Sequence, residues 1–522
     1  MRAALCILEV GVLSTVLLYR ATGDQLIRPG YRNPGVVLRL NERSVQSLKK
    51  EVLMIIGSLR GLRMNDVFEK PVKRLRLTMQ NMQIVSVTPP SKFDIMFIPN
   101  SRDQVRIEMA GLGLTTTAVV STQFKNFKNM FVTTAMQGLS LNLQLRMYAD
   151  INGHMQVLIE KCMANLADAR IDIAHTRRVP TNTQKLAGKL QRQVEEKLCP
   201  FIQSKLVQQV NKYLGSMKSK TRLVELFQPR SAYALAPPKT SVLLNTIALE
   251  DPAVYSSLAK HTVLDYSIMP EPHVVQPSAL EIPLKGEISW DGRGGTPFIP
   301  PSIRTGPFSS QHMADFISTD YPINSMLANY HNRKIFEYRV TSSHPHYGKY
   351  VRDSCAVPMC IGVVLPDIGK RYPGTQNEIF VKTTSAPKVV IKDGAALVYI
   401  PMQVSVCAVK GRSIVPVLTI AMKPVLNLHI IAKNQKLYAR ITEKDKNQIE
   451  MFTDITKSII IETIRLALRD GMSFRIPGMI TVRSMTPRLI GNSLVVGLMT
   501  EMNRAKIGAM VVDNIRKLTQ YF

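Results

Sequence analysis

One order of elements, met twice, constrains this chain more than any single motif: a β-rich half that closes with a long amphipathic helix. The first helix is read over Thr183–Leu214, where Leu186, Leu190, Val194, Leu198, Ile202, Leu206, Val210 and Leu214 recur at every fourth position. Pro200 falls inside it and is expected to kink the rod without erasing the stripe. The second is read over Gln448–Leu468, with Ile449, Phe452, Ile455, Ile459, Thr463 and Ala467 on one stripe and Ile460, Ile464 and Leu468 beside it. Thirty helical residues span roughly 45 Å, well beyond an average globular helix. A face that long and that aliphatic must be covered by sheet or by another apolar body, and a lipid is the obvious candidate.

The remainder of each half reads mainly as strands. Asn41 is placed to cap a helix of about twenty residues, with Val45, Leu48, Val52, Ile55, Ile56 and Leu59 on one face. Between Val72 and Ile173, Lys92–Ile98, Gln104–Leu112, Thr115–Phe124 and Leu139–Tyr148 alternate apolar with polar residues. That pattern predicts a large antiparallel sheet and not an α/β alternation. From Gln228 to Pro307 twelve prolines mark an extended connector, with strands expected at Ser241–Leu249 and Leu280–Trp290. The second half repeats the order. A helix near Asp320–Tyr330 carries Ile323, Met326 and Leu327. Strands follow at Ile379–Lys382, Lys388–Ile391, Ala396–Val409, Val415–Met422 and Asn427–Ile431, then the long helix and a closing strand at Leu494–Leu498. The repetition is read as an old duplication within an α+β protein. It divides the chain into 1–23, 24–235, a connector over 236–305, and 306–522.

Residues 1–23 have the pattern of a secretory signal peptide. Arg2 is the basic start, Val10–Tyr19 the apolar run, and Ala21-Thr22-Gly23 the small-residue cleavage site. The mature chain, Asp24–Phe522, is therefore expected to be secreted and extracellular. It holds no later apolar stretch of spanning length and no Asn-x-Ser/Thr site. In an oxidising compartment Cys162 and Cys199 are a natural pair, while the pairing of Cys355, Cys360 and Cys407 stays open. Charge is the second large signal. Asp24–Thr240 holds 33 Lys and Arg against 15 Asp and Glu, whereas the remainder holds 32 against 22. The excess in the first half attracts anionic surfaces: phospholipid headgroups, lipopolysaccharide, sulfated glycans or nucleic acid.

Nothing in the sequence points to catalysis. It has no Gly-x-Ser-x-Gly elbow, no phosphate-cradling Gly-x-x-x-x-Gly-Lys loop and no His-Glu-x-x-His zinc pattern. Ser47-Leu48-Lys49-Lys50 fits Ser-x-x-Lys but lies on an amphipathic helix. His344-Pro345-His346 is a weak metal hint, and no metal site or cofactor is assigned. No nucleic-acid module accompanies the basic residues.

Several segments, in order along about 480 residues, resemble the family of bactericidal/permeability-increasing and lipopolysaccharide-binding proteins, which includes phospholipid and cholesteryl ester transfer proteins. Asn33-Pro34-Gly35-Val36-Val37-Leu38-Arg39-Leu40 resembles that family's first strand, and Ala234-Leu235-Ala236-Pro237-Pro238 its central connector. Leu284-Lys285-Gly286-Glu287, Pro300-Pro301, Ser318-Thr319-Asp320-Tyr321 through Asn324, and Leu365-Pro366 near Lys370-Arg371-Tyr372-Pro373 resemble segments of its second half. Cys162 and Cys199 match its disulfide in position and approximate spacing.

The resemblance implies two similar barrels of antiparallel sheet and long helices, joined by a central sheet in a boomerang, each holding a phospholipid. The walls of the first pocket would be Val45, Leu48, Val52, Ile55, Ile56 and Leu59 with Leu190, Val194, Leu198, Ile202 and Leu206. Those of the second would be Ile323, Met326, Leu327, Phe452, Ile455, Ile459, Ile460 and Ile464. It also implies an anionic-surface site at the amino-terminal tip, from Arg60, Arg63, Lys70, Lys73, Arg74 and Arg76, and from Lys125, Phe127 and Lys128 in an aromatic-basic run. The expected function is non-enzymatic binding of phospholipid and of lipopolysaccharide or another anionic lipid surface, in innate defence or lipid transfer. The alternative is a cationic protein that binds glycans or a receptor without moving lipid.

Overall fold

The computed structural model describes residues 33–64, 68–72, 75–99, 101, 104–122, 129–174, 183–226, 260–269, 271–275, 279–303, 311–344, 348–352, 360–443, 472–473 and 480–503, with positions 505 and 509. The strand β1 (Val36–Asn41) runs directly into α1 (Glu42–Ser58). Asn41 holds the N-cap position, but its amide does not cap; it donates to Asp315 Oδ2 at 2.8 Å. Then come β2 (Arg63–Met64), β3 (Phe68–Val72), β4 (Leu75–Thr88), β5 (Lys92–Phe97), β6 (Val105–Thr122), β7 (Met130–Ala149) and β8 (Met155–Ala174). They pair antiparallel in the order β2-β4-β6-β7-β8, with β3 on β4 and β5 on β6.

The two runs expected at Gln104–Leu112 and Thr115–Phe124 are one strand of 18 residues. The ladder shifts register between Met109 and Leu114, where Gly111 has φ +81° and a Cβ would lie 2.5 Å from Ser91 Oγ. A bulge there bends and twists the strand. β6 consequently pairs with β5 along its first part and with β4 along its second.

The first long helix is α2 (Thr183–Phe201), a π-helical turn (Ile202–Leu206) and α3 (Val207–Gly215). Pro200 has no N–H for the residue four before it, and the widened turn follows immediately. The expected stripe needs correcting twice. A strict four-residue series advances about 40° per step around a 3.6-residue helix, so it leaves one face within a few turns. The buried face is Ala187, Val194 and Phe201, and Leu186 is exposed. The π turn then adds a residue to one turn, and Val207 becomes the buried position there, with Leu206 half-buried.

β9 (Lys220–Arg222) and α4 (Leu223–Leu226) lead to the connector strands β10 (Thr262–Asp265), β11 (His273–Val275), β12 (Ala279–Leu284) and β13 (Glu287–Trp290). The run expected at Leu280–Trp290 is thus two strands parted at Gly286, where φ is +68°. Ser241–Leu249 lies outside the described residues.

The second half opens with β14 (Ala314–Thr319) and α5 (Tyr321–Asn332), followed by β15 (Glu337–Val340), α6 (Ile361–Val364) and α7 (Ile368–Arg371). Its strands are β16 (Gln376–Thr383), β17 (Lys388–Lys392), β18 (Ala395–Tyr399), β19 (Met402–Lys410), β20 (Ser413–Met422), β21 (Val425–Lys433), β22 (Lys436–Glu443), β23 (Met472–Ser473), β24 (Ile480–Ile490) and β25 (Ser493–Met502). The expected single strand Ala396–Val409 is broken at Pro401. Pro387, Pro401 and Pro424 fall at three neighbouring breaks, where Thr384 N donates to the Pro401 carbonyl and Ile400 N to that of Pro424. Proline cannot donate to a ladder, so three adjacent prolines hand one sheet over to the next. The result is β15-β16-β19-β20 beyond the bend and β17-β18-β21-β22-β23 before it.

A six-stranded antiparallel sheet, β11-β12-β1-β14-β25-β24, joins the halves. β1 and β14 meet at its centre with Leu38 opposite Phe316. Each half contributes an opening strand that leads into a helix, and a closing hairpin whose second strand pairs with that opening strand. The order β11-β12-β1 is thus mirrored by β24-β25-β14 about a two-fold relation, as expected of a duplicated unit.

Candidate functional site

The first-half helices lie on one face of the coiled sheet. Along α1, Val45, Ile55 and Leu59 are buried, while Leu48, Val52 and Ile56 are half-buried. α1 is fastened to β5 by Lys49 Nζ, which donates to Asp94 Oδ1 at 2.6 Å and holds that carboxyl below its ordinary range. Along α2, Leu190, Val194 and Leu198 meet Leu166, Ala169, Met136, Leu139 and Ile171. Across the π turn, Ile202 and Leu206 meet Ile159, Leu141 and Leu145. Leu198 belongs to both groups.

Three side chains that the sequence did not single out close the open edge of β8. Gln191 Nε2 donates to the Leu166 carbonyl at 2.6 Å, and Glu195 Oε1 accepts from Leu166 N at 3.2 Å. Asn211 accepts from Val157 N at 2.7 Å and donates to the Val157 carbonyl at 2.9 Å. These groups stand in for a neighbouring strand, so the sheet edge is completed by helix side chains. The Cys162–Cys199 disulfide links β8 to the same helix with a Cα separation of 5.8 Å. Cys360 is also disulfide-bonded, to a partner outside the described residues, and Cys407 is a buried free thiol whose pKa is raised by burial.

The interiors of the two halves differ. In the first, Met136, Leu139, Leu141 and Leu145 face the helices yet keep accessible area, as do Leu190, Leu198 and Leu206. A core filled to ordinary density leaves its members almost none. In the second half, one continuous cluster runs from Leu327 through Ile379, Val389, Val398, Val404 and Leu426 to Val496, all buried. Leu327 belongs to that cluster and Ile323 packs against it, while Met326 turns to Leu223 and Ile288 of the connector. α5 is held by Asn324, which exchanges two hydrogen bonds with the Val389 backbone at 2.7 and 2.9 Å. Phe452, Ile455, Ile459, Ile460 and Ile464 lie outside the described residues.

Register brings the ends of β3, β4, β6 and β7 together at one end of the first sheet. Val72 pairs with Leu75, Leu77 with Thr122, and Val120 with Met130. Lys70 and Arg76 therefore lie on strands at that end, while Lys73, Arg74, Lys125, Phe127 and Lys128 lie outside the described residues. The structure describes no side chain among these. Phe131, which it does describe, is 57% exposed at that end. Arg60 and Arg63 are exposed but sit apart: Arg63 pairs with Gln83, and Gln83 with Thr117, roughly 17 Å down the strand from Thr122.

Two sheet-and-helix halves about a shared central sheet define a duplicated α+β fold, with apolar lining left accessible in the first half. The sequence agrees. Residues 38–210 match the amino-terminal domain, and residues 256–518 the carboxy-terminal domain, of the LBP / BPI / CETP family. The chain belongs to that family. Lipopolysaccharide-binding protein of Mus musculus is 20% identical over 433 residues, covering 80% of each chain. That of Bos taurus is 20% identical over 366 residues, covering 68% of this chain and 67% of the relative. A crystal structure of lipopolysaccharide-binding protein superposes with a TM-score of 0.50 at 15% identity, over 90% of this chain and 99% of the other, a likeness of fold.

Proposed function

We propose that this chain is a secreted, non-catalytic lipid carrier whose first-half interior shelters acyl chains. The observation that carries the reading is the contrast of interiors: apolar side chains between helices and sheet keep accessible area in the first half, while the described residues of the second share one buried cluster, the stripe of its long helix lying outside the described residues. Each methylene transferred there contributes about 0.8 kcal/mol. The far end of the first sheet, with Lys70, Lys73, Arg74, Arg76, Lys125, Phe127 and Lys128, docks on anionic lipid, including lipopolysaccharide, the ligand that names the relatives. Family membership favours this over a glycan-binding protein that carries no lipid, and over an enzyme.

Native mass spectrometry with lipid extraction tests it, on the secreted protein and on Leu198→Arg. One phospholipid per chain, lost in Leu198→Arg, is expected. A folded wild type without lipid refutes the reading. Two lipids per chain, one surviving Leu198→Arg, assign a second to the stripe of Phe452, Ile455, Ile459, Ile460 and Ile464.

A further inference from the structure

The far end of the second half carries its own apolar and basic edge. β19 and β20 are joined by a two-residue turn, Gly411-Arg412, with Lys410 opposite Ser413 and φ +60° at Gly411. Every residue from Lys410 to Pro416 is exposed, including Ile414 at 49% and Val415 at 38%. Successive side chains of a strand point to opposite faces, so neither face of β20 is covered at its start. Lys410 and Arg412 have no acidic partner among the described residues. The carboxylates nearby are engaged: Arg339 holds Glu378, which pairs in register with Cys407, and Lys370 holds Asp367 at 3.5 Å. Arg371, also exposed, precedes the turn into β16, whose first residue pairs with Val409.

β1 and β14 are antiparallel, and each enters its half at its carboxyl end. The halves therefore leave the central sheet in opposite directions, and this turn lies away from the basic end of the first half. β20 is the outer strand of its sheet, but Pro416 sits opposite a register shift at Cys407. A missing donor beside a bulge makes a poor template for another strand. Exposed aliphatic side chains beside exposed cations suit instead a phospholipid surface of negative charge.

We infer that the β19–β20 turn, through Lys410, Arg412, Ile414 and Val415, is a second docking site for anionic phospholipid surfaces. It acts independently of the first-half tip and of any lipid held inside. The test is co-sedimentation of the full-length protein with vesicles of equal parts phosphatidylcholine and phosphatidylserine, in a Lys125→Glu, Lys128→Glu background that weakens the first tip. Binding should persist there, weaken roughly 30-fold on adding Lys410→Gln and Arg412→Gln, and weaken also on adding Ile414→Ser and Val415→Ser. The affected side chains are exposed, so circular dichroism should be unchanged, and the lipid count from mass spectrometry should not move. If interior lipid is absent yet the vesicle results hold, this site stands while the carrier reading falls. The inference is overturned if the first-tip background binds no vesicles, or if both second-tip pairs leave binding intact. It is equally overturned if sedimentation velocity shows a wild-type dimer that Ile414→Ser and Val415→Ser dissolve.

Discussion

Replacing Cys162 and Cys199 by alanine asks how the first-half helix is held. The disulfide closes a loop of 37 residues between β8 and the last turn of α2. On the chain-entropy account, opening such a loop costs about 3.8 kcal/mol at room temperature. Both cysteines are half-buried beside Leu198 and Leu143, so truncation removes little packing. The loss should be confined to the half that contains the bond. Native-state hydrogen exchange across a urea series separates the halves: peptides from β6–β8 report the first, and peptides from β16–β19 serve as an internal reference. The expected result is a drop of about 4 kcal/mol in the first set with the second unmoved. A drop below about 1 kcal/mol would refute the reasoning. It would mean that Gln191, Glu195 and Asn211, bonded to the β8 edge, hold the helix without help from the covalent link.

Other outcomes follow from buried polar contacts. Asn324→Ala leaves both the N–H and the carbonyl of Val389 without partners in a buried place, at a cost of about 2–5 kcal/mol; a thermal melt that barely shifts would show that water replaces the amide. His273 in the central sheet is raised above its ordinary pKa, chiefly by its hydrogen bond to Glu281. Burial works against ionised Glu281, but hydrogen bonds from His273 and Arg39 outweigh it and hold the carboxyl below the usual range. The histidine's contribution is complete below its ordinary value of 6.5 and fades as pH rises through its higher folded value. The glutamate's is complete above 4.5 and fades as pH falls through its lower folded value. Wild type should therefore melt highest between those two values. His273→Gln should remove most of the alkaline-side decline, and a difference between the two proteins that stays constant with pH would contradict the assignment.

The sequence is legible where physics is local. The helical stripe of α1 and the alternation of β5, β7, β16 and β17 follow from periods of 3.6 and 2, so their residues can be placed without knowing their neighbours; the four-residue stripe read for α2 drifts off its face and is interrupted by the π turn. What escapes is pairing across distance. Leu38 meets Phe316, and nothing in either short strand announces it. Gln191, Glu195, Asn211 and Asn324 read as polar positions on helices, a pattern that ordinarily means solvent; only the three-dimensional edge of β8 or β17 turns them into strand substitutes. Gly111 looks like a turn between two strands because a bulge interrupts alternation much as a turn does. The basic residues were visible as a cluster, but their division between the sheet end and the Arg60–Arg63 level depends on register.

The bends differ between the two halves of one plan. In the first half the strands stay continuous for 18 to 20 residues and bend at glycines, Gly111 and Gly138, where the missing Cβ removes a clash of 2.5–2.6 Å. The ladder continues through the bend, and the helices span a sheet whose inner side chains keep accessible area. In the second half prolines break three neighbouring strands at one level, and the two resulting sheets share a single buried cluster. A glycine bend lets a sheet coil around a guest, whereas a proline break lets two sheets pack on each other. If lipid is held in the first interior, the second half need not enclose one to be retained. A rigid arm ending in an exposed edge would suffice, and its value would lie in what that edge touches.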